Sequence, residues 1–433
     1  MSSERETFLI GDLGRVVTGK TPSTSKSSFY EGDIPFYTPS DMDGRRFLDQ
    51  TKRSLSELGA STVGTSVIDA GSVMVSCIGS VGKVAIAPKS GITNQQINTI
   101  STHEWVDPLY LYYELKTRKA ELQALATSGS VQPILNKGHF CEIEVEIPTF
   151  SKQKAIAHVL GTLDDKIELN RKTIETLEGI AKALFKSWFV DFDPVRAKAD
   201  GRSTGLPDEI SELFPDSLEE SELGEIPTGW SYKKISEWGS TICGKTPPTK
   251  DESLYGGDHL FVTIPDLHEG PFISHASKTL SNAGAESQFK KRLPAGSVMV
   301  SCIATPGLVG ITQVECFTNQ QINSIIPFDK GSENFLLFSI IESKGLLLSL
   351  GGGGSVFFNL SKGRFDDMEI ISPSKPCVAA FGESVAPLIA KCFALKEESR
   401  TLSTLRDALL PRLISGELRV PDAENLRRVE HGI

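Results

Sequence analysis

Two stretches carry the residue types and spacing of a phosphate-binding loop: Gly14-Arg15-Val16-Val17-Thr18-Gly19-Lys20-Thr21 and Gly239-Ser240-Thr241-Ile242-Cys243-Gly244-Lys245-Thr246. In such a loop, backbone amides surround a phosphate, the lysine reaches its outer oxygens and the hydroxyl holds magnesium. That chemistry needs a buried strand before the loop and a helix after it, whose first amides face the anion. Here Pro22 follows the first match and Pro247-Pro248 the second, removing amide donors, and the sequence beyond is Ser/Thr-rich without helical periodicity. No apolar strand ending in Asp stands downstream to hold the metal. The context of both copies argues against a nucleotide hydrolase.

Other catalytic constellations are equally hard to assemble. There is no Asn-Pro-Pro-Phe signature of adenine methylation and no glycine-rich cofactor loop after a strand. His259, His268 and His275 have no histidine counterparts earlier in the chain and no cysteine at ligand spacing, so no metal site is expected. The seven cysteines include no CxxC pair, and Cys77 and Cys302 sit inside apolar runs, as buried free thiols do. That usage, with a polar N-terminus and no apolar run of membrane-spanning length, predicts a cytoplasmic protein without a membrane anchor. The net charge of −10 is concentrated in one stretch: residues 191–228 hold 11 acidic and 3 basic side chains, a net of −8. The rest is near neutral, which neither favours nor excludes a nucleic-acid partner.

The elements that position these residues come in duplicate. At an offset of 225, Gly19-Lys20-Thr21-Pro22 returns as Gly244-Lys245-Thr246-Pro247, and residues 70–87 match 295–312 at 12 of 18 positions. TNQQINTI at 93–100 returns as TNQQINSI at 318–325. Because the offset never slips, both halves must share one fold. Each half opens with short apolar runs such as SVMVSCI, punctuated by Gly, Pro and Ser, which read as strands of a mostly antiparallel or mixed sheet. One helix is expected at Pro108–Ala126 and its counterpart at Glu333–Leu350. The fold class is α+β, a tandem duplication in which each domain is followed by a long helix.

Ile156, Leu160, Leu163, Ile167, Asn170, Ile174, Leu177, Ala181, Leu184 and Trp188 alternate spacings of four and three, the seam of a coiled coil. The equivalent seam, Phe381 to Leu413, is rougher: Ser399 and Arg406 are polar, Pro387 is expected to kink or break its N-terminal part and Pro411 to end it. The two helices are expected to pair antiparallel; the alternative is that each packs on its own globular domain. The predicted domains are 1–150, a helix at 151–190, an acidic Pro/Gly-rich connector at 191–228, a second domain at 229–373, a helix at 374–416 and a tail at 417–433.

These residues resemble the specificity subunit of type I restriction–modification systems. The resemblance covers almost the whole chain. It rests on GKTPS followed by Gly-Asp-Ile-Pro-Phe, the TNQQIN segments, LFKSWFVDFDP and the terminal LRDALLPRLISGEL, in order and duplicated. One departure is lysine at Lys20 and Lys245, where a small residue is expected; it creates the phosphate-loop look-alikes. The resemblance implies that each globular unit is a target recognition domain reading one half of a bipartite site in double-stranded DNA. It implies that the helices form an antiparallel spacer on which two modification subunits dock, and that restriction subunits complete the complex. S-adenosylmethionine, ATP and magnesium would then be bound by those partners and no cofactor by this chain.

Residues identical between the halves cannot distinguish two half-sites; residues that differ can. Asn94, Gln95 and Gln96, with Asn319, Gln320 and Gln321, suit adenine edges. Being duplicated, they are better explained as a hydrogen-bond network fixing a turn. The DNA-contact candidates in the first half are Lys20, Ser23, Lys26, Thr38, Ser40, Asp41, Arg45, Arg46, Ser80 and Lys83. In the second they are Lys245, Lys250, Thr263, Asp266, His268 and Thr305. Most lie in polar loops that diverge between halves, and could read bases or grip phosphates. Phe189 and Phe192 fall off the helical seam and are expected to form a patch that docks a partner subunit.

Overall fold

The computed structural model describes residues 5–128, 132–222, 224–303, 305–351 and 359–420. The chain divides into two compact units, residues 1–168 with 401–433, and residues 169–400. This differs from consecutive segments: each unit takes a piece of both long helices along with its own sheets. The end of the predicted tail, 421–433, lies outside the described residues.

In the first unit, strands Gly14–Thr18, Ile97–Thr102, Val73–Ser76 and Val84–Ile86 form one antiparallel sheet in that order. A second sheet orders Ser54–Leu55, Tyr30–Tyr37, Gly91–Thr93 and Val67–Ile68, with Tyr30–Tyr37 and Gly91–Thr93 parallel. Side chains alternate along a strand, and here both faces are covered. Val73 and Val75 pack with Tyr110 and Leu111 of a helix, while Met74 packs with Tyr37, Ile68 and Ala85.

The second unit repeats the plan. Gly239–Cys243, Ile322–Pro327, Val298–Ser301, Val309–Thr312 and Phe272–Ile273 form one sheet, and Lys278–Leu280, Tyr255–Val262 and Cys316–Thr318 another. Val73 pairs with Ile100, and Val298 pairs with Ile325, so the register itself carries the 225-residue offset. The helix expected at Pro108–Ala126 is two, Pro108–Thr117 and Lys119–Leu125; its counterpart is Glu333–Glu342 and Lys344–Gly351.

The long helices run Phe150–Phe189 and Lys375–Ile414. Pro387 and Pro411 both lie inside the second, which continues through them. The cost of a missing amide at each is offset by packing on the partner helix and the unit core, where Val385, Ile389, Leu410 and Leu413 are buried. Within the first unit Ile156, Ala157 and Leu160 cluster with Leu410, Leu413 and Ile414, and Asp164 pairs with Arg406. Within the second, Asn170 donates to Glu398 and Ser399, and Phe185 and Trp188 meet Phe381. Rising numbers on one helix meet falling numbers on the other, so the pairing is antiparallel. Both expectations for these helices hold together, since each also packs on a globular domain.

The connector is more than a tether. It forms helices Asp193–Ala199 and Asp208–Ser211 and a hairpin of Leu218–Ser221 with Gly224–Pro227. Its Phe192, Val195, Phe214 and Ile226 are buried in the core of the second unit.

Candidate nucleic-acid interface

Both phosphate-loop look-alikes are the outer strand of a sheet and the turn that leaves it. A methyl group on Gly14 would lie 2.2 Å from the Ser101 carbonyl oxygen, and one on Gly239 2.4 Å from that of Ile326. At Gly19 it would lie 2.2 Å from the carbonyl oxygens of Thr93 and Asn94; Gly244 meets Asn319 at 2.2 Å. These glycines let backbones touch. The amides that would hold a phosphate are occupied: Gly19 N–H donates to Ile97 O at 3.1 Å and Lys20 N–H to Thr93 O at 2.9 Å. Gly244 and Lys245 make the same bonds to Ile322 and Thr318, at 3.1 and 2.9 Å.

The turn carrying Asn94 and Gln96 is fixed from within. Asn94 Nδ2 donates to Gln96 Oε1 at 2.8 Å, and Gln96 N–H donates to Asn94 Oδ1 at 3.1 Å. Asn319 and Gln321 repeat the pattern at 3.0 and 3.1 Å. The middle glutamines are different: Gln95 and Gln320 are exposed. Thr21 Oγ1 donates to Gln95 Oε1 at 2.5 Å, and Thr246 donates likewise to Gln320. Each exposed amide is therefore oriented through its carbonyl oxygen.

Beside this turn the loop after Val73–Ser76 folds back. Gly82 N–H donates to Ser76 O at 2.9 Å, and Gly307 to Ser301 O at 3.0 Å. Gly82 and Gly307 have φ of 88° and 79°, a left-handed conformation suited to glycine. A Cβ on either would press on Lys119 Cγ at 3.0 Å or Lys344 Cγ at 3.1 Å. Thus Lys20, Gln95, Ser80 and Lys119 share one end of the first sheet, and Lys245, Gln320, Thr305 and Lys344 the same end of the second. Ala304, beside Thr305, lies outside the described residues. Lys20, Ser23, Lys26, Ser40 and Ser80 are exposed, as are Lys245, Lys250, His268 and Thr305.

Several sequence candidates do other work. Asp41 is 6% exposed and accepts from Thr38 N–H at 2.8 Å, Thr38 Oγ1 at 2.6 Å and Lys52 N–H at 2.9 Å. Asp266, its equivalent, accepts from Thr263 N–H and Ser277 N–H, both at 2.7 Å. Burial would raise the Asp266 carboxyl, but these bonds outweigh it and hold it below the usual carboxylate range. Asp41 and Asp266, with Thr38 and the buried Thr263, therefore brace their loops from within. Arg46 is also committed. Its guanidinium pairs with Asp165 and donates to Gly161 O at 3.2 Å, tying its loop to the long helix. Arg45 pairs with Asp43 at 2.8 Å, and Lys83 Nζ donates to Pro39 O at 3.1 Å.

The docking expectation for Phe189 and Phe192 is overturned. They are 2% and 7% exposed, and the Phe189 ring lies 5.1 Å from Phe335 and 5.3 Å from Phe381. Phe192 meets Trp230 at 5.9 Å. Phe189 closes the long helix on a face that also meets Trp230 and Phe335, and Phe192 lies past the helix end, at the start of the connector helix; a seam read from heptads alone leaves both out.

A family model described as Type I restriction modification DNA specificity domain matches residues 2–179 and 227–378. The chain is 41% identical over 317 residues to the type I restriction enzyme HindI specificity subunit of Haemophilus influenzae, covering 64% of this chain and 69% of that protein. It is 28% identical over 422 residues to the MjaIX specificity subunit of Methanocaldococcus jannaschii, covering 95% and 93%. The solved S subunit of a type I restriction-modification system from M. genitalium shares the fold, with a TM-score of 0.57 at 16% identity over 94% of this chain and 96% of that one.

Proposed function

The chain belongs to the type I restriction modification DNA specificity family, its two repeats being the DNA recognition domains, and from that premise we propose that it reads an asymmetric bipartite DNA site for partners that supply the catalysis. One observation carries this reading. Each unit builds the same sheet end from the same scaffold residues, while the exposed side chains in the loops around it differ, as Ser80 against Thr305 and Lys26 against Asp251 do. A shared frame with unlike surfaces suits two unlike half-sites.

The helices fix the spacing between half-sites and dock two modification subunits. Supporting two equivalent docking places, Ile180 and Leu405 stand at the same offset on the outer faces of their helices, 50% and 46% exposed. Exposed Thr176 and Ala183 flank one, and Thr401 and Ala408 the other. S-adenosylmethionine, ATP and magnesium belong to the modification and restriction subunits, and this chain contributes no catalytic group. The methylome of cells expressing the chain with its modification subunit tests the reading: methyladenine should fall in a motif of two different halves with a fixed gap. A palindromic motif, or none, refutes it. Ile180→Glu and Leu405→Glu should each weaken capture of the modification subunit without lowering the melting temperature. Undiminished capture would remove the docking assignment.

A further inference from the structure

The internal duplication can separate two kinds of DNA contact. Phosphate contacts hold the protein in place without carrying sequence, whereas base contacts must differ when half-sites differ. A phosphate contact should therefore be a cation kept in both copies, exposed, and held among the described residues by neither an acid nor an aromatic ring. Four positions of the sheet domains are basic in both copies: Lys20 and Lys245, Arg53 and Lys278, Lys119 and Lys344, Lys137 and Lys362. Arg53 is held over the Tyr30 ring at 4.1 Å, and Lys362 pairs with Asp366 at 2.5 Å. That leaves Lys20 with Lys245 and Lys119 with Lys344, all four exposed. Lys20 Nζ donates to a neutral hydroxyl, Thr65 Oγ1, at 3.3 Å.

Their placement is also repeated. Lys20 follows the first strand of the sheet, Lys119 sits on the glycine turn before the fourth, and the oriented Gln95 stands between them. Three strand spacings separate those positions, on the order of 14 Å. That is close to the width of a DNA major groove, about 12 Å. Lys245, Gln320 and Lys344 reproduce the arrangement.

We propose that Lys20 with Lys119, and Lys245 with Lys344, are phosphate clamps that straddle a groove identically at both half-sites, leaving the divergent loops between and beside them to read bases. The clamp rests on the DNA-reading function above. Lys26 and Lys83 are excluded from it, since Asp251 and Leu308 replace them in the other copy.

The test compares the full chain with K20Q/K119Q, K245Q/K344Q and a control, K89Q, whose exposed lysine has Val314 as its counterpart. Binding to a mixed-sequence duplex, and to one carrying the motif found in the methylome, is measured across a salt series. Each double variant should lower the slope of log affinity against log salt by about 1.8, at about 0.9 per lysine. The loss should be equal on both duplexes, leave K89Q like the parent, and be restored by K20R/K119R. Unchanged slopes, an equal loss in K89Q, or a loss confined to the motif duplex would overturn the clamp. If the parent chain itself shows no salt-dependent binding, the DNA-reading function fails first.

Discussion

Asp164 and Arg406 offer the sharpest test of how the first unit holds its helices. Arg406 Nη1 donates to Asp164 Oδ1 at 2.6 Å, and Tyr113 Oη donates to Asp164 Oδ2 at 2.6 Å. The side chains are 15% and 10% exposed. Burial alone would lower the Arg406 pKa, but Asp164 and then Asp407 more than reverse it. At the equivalent place in the second unit stand Ala181 and Ile389, both buried and apolar. The fold therefore contains its own control for what this pair does. Removing one partner of a buried pair costs about 3–5 kcal/mol because the other charge stays behind. Arg406→Ala should cost about that. Replacing both residues by the other unit's pair, as D164I/R406A, should cost less than either single change. Tyr113→Phe should then be nearly neutral in that background, since the hydroxyl has lost its acceptor. Urea unfolding of the full chain, with hydrogen exchange of helix Pro108–Thr117 reporting on this unit, measures all four variants. A cost for Arg406→Ala of only about 0–1 kcal/mol would class the pair with exposed salt bridges and refute the reasoning. So would a double variant whose cost is the sum of the singles. A buried polar pair on a mostly apolar seam specifies which residues meet more than how tightly they do so.

Other expectations follow from individual residues. Burial pushes the Cys77 and Cys302 thiols up to about 11, so both should resist alkylation at mildly basic pH until the chain unfolds, while the half-buried Cys243 reacts; rapid native labelling of Cys77 would contradict the packing. Asp266 has a folded pKa below its unfolded value, so its contribution to stability is full at neutral pH and is lost as pH falls through the folded value. Asp266→Asn should lower stability near neutrality and flatten the dependence below about pH 4, as read from unfolding midpoints across pH. Gly19→Ala or Gly244→Ala should destabilise the chain measurably, since the added methyl meets backbone on two sides. Calorimetry with ATP should show no binding for the parent chain; saturable binding would revive the phosphate loop.

The duplication, the mixed sheets and the antiparallel helices were legible because each rests on a pattern: a constant offset, alternation along strands, and spacings of four and three. What escaped depends on contacts between distant positions. Asp41 and Arg46 look like base readers as loop residues; only the fold brings Lys52 and Thr38 to one, and Asp165 to the other. Phe189 and Phe192 looked surplus because a helical seam describes one partner, whereas Phe189 also meets the sheet domain and Phe192 stands beyond the helix end, in the connector. Pro387 was expected to kink or break the second helix and Pro411 to end it, yet tertiary packing carries the helix through both. Lys119 and Lys344 were within reach: both are lysine at the same offset, a signal weaker than the identity runs around it.

The division of the chain also has a consequence in time. The second unit is one continuous stretch, 169–400, whereas the first needs 401–414 from the far end of the sequence. During synthesis the half made first is therefore the half completed last. Until Leu410, Leu413 and Ile414 emerge, Ile156, Ala157 and Leu160 lack part of the apolar cluster that covers them. An exposed stripe of that kind invites chaperones or premature association. A nascent chain that has emerged as far as residue 400 would thus hold every residue of the second unit while the first still lacked its last helical turns.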